Sequence, residues 1–253
     1  FFYIRKVDIE MDATAMMYFC FAFAACLYAM VGHGGASAYL ALMVFWEITP
    51  DAMKPLALVL NMFVSLIAFF QFYKQRLFSW KLFIPLIICS IPAAFIGGTI
   101  SISDVLYKRI LAILLLFTAI RFFYPLQEGT ENEKAQQNWI LYLSGISIGF
   151  FSGLIGIGGG VLLTPVLVLL KFCSIKVAGG ISALFIFFNS LAGLAGQGFT
   201  KLPWIDSYSM LIIWVIIGGS IGAYLGSNYL PPKILKKMLA FVLLIASIKL
   251  LLA

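Results

Sequence analysis

The sequence predicts an all-α integral membrane protein of two inverted repeats, each a broken helical hairpin plus three transmembrane helices. Three observations lead to that reading. Of the 253 residues, 63% are hydrophobic and only 11% charged, with a mean hydropathy of +1.06, whereas a soluble domain carries roughly 25% charge. Two apolar stretches are interrupted by glycine clusters: Gly32, Gly34 and Gly35 near the start, and Gly153, Gly156, Gly158, Gly159 and Gly160 past the middle. A glycine inside a helix costs about 0.8–1 kcal/mol relative to alanine, so clusters this dense predict a break within the membrane. Finally, the order of spans after the first break recurs after the second.

Taken in order, 13–31 is long enough to cross a hydrocarbon core of about 30 Å, and 37–46 makes a helix of only about 15 Å, half a bilayer. The run 13–31 is longer than a signal-peptide core and is expected to stay in the mature protein. Full spans follow at 54–73, 82–100 and 105–124. The polar stretch 127–138 then divides a first repeat, 1–126, from a second, 139–253. The second repeat reads as 139–157 with the half-helix 161–172, then spans at 177–199, 204–226 and 233–253. Residue matches carry the repetition: Lys108-Arg109-Ile110-Leu111-Ala112 with Lys236-Lys237-Met238-Leu239-Ala240, and Ser65-Leu66 with Ser190-Leu191. Internal repeats of this kind build many transporter folds.

If each broken segment folds back as a hairpin, the larger share of the 17 lysines and arginines falls on one side, among them Lys74, Arg76, Lys171 and Lys176. A straight-through path leaves almost no bias. The positive-inside rule therefore favours hairpins and inversion, with both termini outside the cytoplasm. The net charge of +7 belongs to these loops beside lipid head groups rather than to a nucleic-acid surface. Cys20, Cys26, Cys89 and Cys173 show no metal or CxxC spacing and read as small core residues; no cofactor is implied.

Unwound backbone survives at membrane depth only when buried in protein or lining a polar cavity, so residues 31–37 and 156–161 are expected to share one site near the midplane. Each half-helix starts at its glycine run, which places an N-terminus with unsatisfied N–H groups and a partial charge of roughly +0.5 at that site. The candidate binding residues are Gly32, His33, Gly34, Gly35 and Ser37 at the first break and Gly158, Gly159, Gly160 and Thr164 at the second. Asn61, Ser65, Asn189, Ser190 and Gln197 join them from the following spans, where a polar side chain faces a cavity or glues helices together. His33 is the only histidine; it either offers a titratable donor or satisfies a backbone carbonyl. Gly97, Gly98, Gly218, Gly219, Gly222 and Gly226 read as close helix packing. The acids all lie in termini, loops or span ends, which disfavours a cation site.

The pattern Gly156-x-Gly158-Gly159-Gly160-x-x-x-x-Pro165-x-Leu167, the following Ala178-Gly179-Gly180-Ile181-Ser182, and Gly222-Ala223-Tyr224-Leu225-Gly226 ahead of Leu230-Pro231 resemble the TauE/SafE family of sulfite and organosulfonate exporters. The resemblance covers both repeats. In the first, Ala36 stands where a third glycine is usual, Ala41 where the proline is, and His33 at the variable position. It implies transport of a small sulfur-containing oxyanion, with a lipid bilayer as the other partner and homo-oligomer formation left open. A passive anion channel, or a transporter of a small carboxylate or other anion, is the alternative. A structural subunit of a larger complex would transport nothing by itself. An intramembrane serine protease is disfavoured: Ser152-Gly153 lies before the break, and nothing else marks a nucleophile with its base.

Overall fold

The computed structural model describes residues 2–123, 138–198, 205–229, 244 and 247–248. Its helices are α1 (Phe2–Ala29), α2 (Ala36–Phe45), α3 (Pro50–Lys74), α4 (Trp80–Thr99), α5 (Asp104–Phe123), α6 (Asn138–Ile155), α7 (Gly160–Leu169), α8 (Ile175–Gln197) and α9 (Ile205–Asn228). No strand occurs among the described residues. The expected linker 127–138 lies outside them except for Asn138, and the expected last span 233–253 lies outside them apart from 244, 247 and 248. Helix α1 begins well before residue 13, continuing through a charged segment whose residues are competent helix formers; its apolar part starts at Thr14.

Both breaks are present and slightly shorter than expected. Residues 30–35 and 156–159 are non-helical, while Ala36, Ser37, Gly160 and Val161 already belong to the half-helices. The two half-helices are built alike. Each has 10 residues and is N-capped by a left-handed glycine, Gly35 at φ 100° and Gly159 at φ 78°, a conformation that a side chain would strain. Each also ends in the same turn: Ile48 N–H donates to Met43 O at 3.0 Å and Phe172 N–H to Leu167 O at 2.9 Å. Glu47 (φ 55°) and Lys171 (φ 59°) take the left-handed position in these turns. Helix α2 runs back along α1: Phe21 stacks on Tyr39 and tilts against Trp46, and Tyr28 OH lies 2.8 Å from Ser37 Oγ.

The most extensive helix pairs are α4 with α6, α1 with α9, α3 with α8, and α4 with α8. Each joins a helix before residue 127 to one after it, so the two halves share one core. Lipid offers no hydrophobic drive between apolar helices, and close backbone approach takes its place. On α9, Gly218, Gly222 and Gly226 press onto the carbonyls of Ala22 and Cys26 of α1 and of Met30 just past its end; on α6, Gly145, Gly149 and Gly153 press onto those of Leu86, Ser90 and Ala94 of α4. A Cβ at any of the six would collide with a carbonyl oxygen. Gly97 and Gly98 likewise meet the Phe150 and Gly193 carbonyls, and Gly219 meets the Val64 side chain, as the packing reading required. Gly153 is a correction: it belongs to a helix contact and not to the break. Large side chains face outward, with Ile84, Ile88, Phe95 and Ile96 exposed on α4, and α3, α4, α8 and α9 are long and apolar enough to cross a membrane. The protein is a multi-pass membrane protein.

Candidate functional site

The carbonyls ending α1 and α6 are satisfied locally. Val31 and His33 N–H groups donate to Tyr28 O at 3.1 and 3.0 Å, and Gly32 N–H to Ala29 O at 3.0 Å. At the second break Gly156 N–H donates to Ser152 O at 2.8 Å, and the Tyr107 hydroxyl of α5 donates to Ile155 O at 3.1 Å. The starts of the half-helices are different. The N–H groups of Gly34, Gly35, Gly159 and Gly160 have no hydrogen-bond partner among the described residues.

The two breaks meet. His33 reaches from the first to the second, its Nε2 lying 3.1 Å from Gly160 O and 3.0 Å from Thr164 Oγ1. A carbonyl only accepts, so Nε2 carries a proton. Thr164 Oγ1 is in turn 2.8 Å from Ser182 Oγ on α8, and the Tyr28 ring stands edge-on to the imidazole. Asn61 of α3 lies between the breaks. Its Oδ1 accepts from Ala36 N–H, the first residue of α2, at 3.2 Å, and its Nδ2 donates to Ser190 Oγ of α8 at 3.1 Å. Gly34 lies against Oδ1 and Gly158 against Nδ2, each too close to admit a Cβ. His33, Asn61, Thr164 and Ser190 are all at most 4% exposed.

The other candidate residues sit around this junction in different ways. Gly32 presses on the Gly179 backbone of α8, and Gly160 adjoins Ile186 and the His33 ring. Ser37 is engaged by Tyr28. Ser65 is buried but turns its hydroxyl to Met62 O of its own helix at 3.2 Å. Asn189 donates to Ser90 Oγ of α4 at 3.0 Å and to Phe185 O at 2.8 Å, a helix-bridging role. Gln197 donates to Gly193 O at 3.4 Å and lines a cavity of about 170 Å³ with Asp51, Lys54, Thr99 and Tyr107. Leu154, near the end of α6, also lines it, and Gly156 of the second break packs against Lys54. Two buried hydroxyls that the sequence did not mark as ligands adjoin the breaks: Tyr39 OH beside Gly35, and Ser152 beside Gly159. Ser182 was missed as well, since its partner Thr164 is on another helix. No group of three or more metal-ligating side chains occurs among the described residues.

The family described as sulfite exporter TauE/SafE matches residues 17–250. The chain is 34% identical over 251 residues to the probable membrane transporter protein y4hK of Sinorhizobium fredii, covering 97% of this chain and 100% of that protein. It is 26% identical to the probable membrane transporter protein MJ0441 of Methanocaldococcus jannaschii, over 77% of this chain and 78% of that one. With the probable membrane transporter protein YjnA of Bacillus subtilis it shares 23% identity over 90% and 96%. No solved structure matches the chain. With the glycine-broken helices in place and a family match running through both halves, the chain belongs to the TauE/SafE sulfite exporter family of membrane transporters.

Proposed function

We propose that this protein carries a small sulfur-containing oxyanion, sulfite or an organosulfonate, across the membrane through the junction of its two glycine breaks. The observation that carries the reading is the set of uncapped N–H groups of Gly34, Gly35, Gly159 and Gly160 at the starts of two half-helices that Asn61 and His33 tie together. Two partial positive charges of roughly +0.5 then act on one small volume from which water is largely excluded. A sulfonate or sulfite presents three oxygens and so takes donors from both breaks at once. Burial of the bridging side chains favours a carrier caught closed over an open pore, whose lining is wet. The helix pairings support two structurally related repeats: exchanging the halves turns the α1–α9 contact into the α6–α4 contact. The cavity at Lys54 and Gln197 serves as an approach to the second break.

Proteoliposomes test this directly. Uptake of labelled sulfite or ethanesulfonate is expected to saturate and to be accelerated by unlabelled anion inside. Flux that never saturates identifies a channel. Transport of small carboxylates with no flux of sulfur oxyanions overturns the substrate assignment.

A further inference from the structure

Every buried serine or threonine hydroxyl but one has a partner among the described residues, some of them within their own helix. Ser65, Ser90, Ser227 and Ser247 turn to the carbonyl three residues back, and Ser220 to the one four back. Ser152 does not: it is fully buried on α6 and its Oγ has no partner among the described residues. The phenol of Tyr39, also fully buried, is in the same condition. An unsatisfied buried hydroxyl costs on the order of 1–3 kcal/mol, so two of them call for an explanation. Their positions supply one. Tyr39, one turn into α2, curls its hydroxyl back against Gly35, within 2.6 Å of where a Cβ on that glycine would lie. Ser152 Cβ lies 3.4 Å from the corresponding point on Gly159. Gly35 and Gly159 are the N-caps of the two half-helices.

We propose that Tyr39 and Ser152 are substrate ligands, each donating its O–H to an oxygen of the bound oxyanion beside the N–H groups of its break. The inference rests on the reading that the breaks bind such an anion, and it changes which side chains complete the site. The hydroxyls that the sequence pointed to are already engaged, Ser37 by Tyr28, Thr164 by His33 and Ser182, Ser190 by Asn61 and Ser65 by Met62 O.

Removal of an orphaned hydroxyl and removal of a structural one act oppositely on the empty protein, which makes the test clean. In detergent, Tyr39→Phe and Ser152→Ala are expected to melt at or above the wild-type temperature without ligand. Each is expected to bind methanesulfonate roughly tenfold more weakly, the effect of one lost hydrogen bond to a charged group. Ser152→Thr, which keeps a hydroxyl, restores affinity, and Ser220→Ala, which loses one bonded within its own helix, changes neither quantity. Wild-type affinity in both Tyr39→Phe and Ser152→Ala overturns the inference and leaves the site standing, as does a lower melting temperature with affinity intact. A wild-type protein that binds neither methanesulfonate nor sulfite overturns the site and the inference together.

Discussion

His33 shows how far one residue can be read from sequence. A lone histidine inside a glycine turn allowed two roles, a titratable donor or a clamp on a carbonyl, and the structure places its Nε2 against Gly160 O. The clamp is therefore real, and it joins residues 127 positions apart, which no local pattern announces. Removing the clamp tests it: His33→Ala is expected to weaken methanesulfonate binding and to lower the melting temperature in detergent, and unchanged values of both would contradict a clamp that holds the breaks together. Asn61 and Ser190 were legible as polar residues out of place in hydrocarbon. Tyr39 was hidden among apolar neighbours, because an aromatic in an apolar run looks like core, and Ser152 drew notice only as a nucleophile.

Among the elements, the breaks were the most legible feature, since glycine density reports backbone strain directly. Their edges moved by a residue or two because a left-handed N-cap needs a single glycine; Gly160 is already the first residue of α7. The long helices were legible from apolar run length, yet the start of α1 was not, because helix and hydrophobic span are different properties and only the second ends at the charges. Glycine spacing on α9 predicted close packing, and the structure identifies its partner as α1. Gly145, Gly149 and Gly153 do the same work on α6 and escaped attention, the last absorbed into the break by mere proximity. Their contribution is steric. Gly222→Val and Gly149→Val each push a branched side chain into a carbonyl oxygen, and each is expected to destabilise the folded protein by about 1–3 kcal/mol, the usual range for overpacking. Lower melting temperatures in detergent check this, and unchanged melting in both variants contradicts it. Ser220→Val, partly buried on the same α9, provides the comparison.

At the scale of the molecule, the internal repetition was visible in sequence, but the interleaving was not. Composition and motif similarity indicated two related halves; they gave no sign that α4 packs on α6 and α1 on α9, so that each half completes the other. That interleaving brings the two breaks, distant in sequence, to one buried junction, and the transport proposal depends on it. The most direct test is to locate a bound anion. The structure of the protein with 2-bromoethanesulfonate, with the bromine found by its anomalous scattering, is expected to show the sulfonate between Gly34–Gly35 and Gly159–Gly160, within hydrogen-bond reach of backbone N–H groups from both breaks. A sulfonate bound only in the Lys54 cavity, or at any position that touches one break and not the other, would contradict the account.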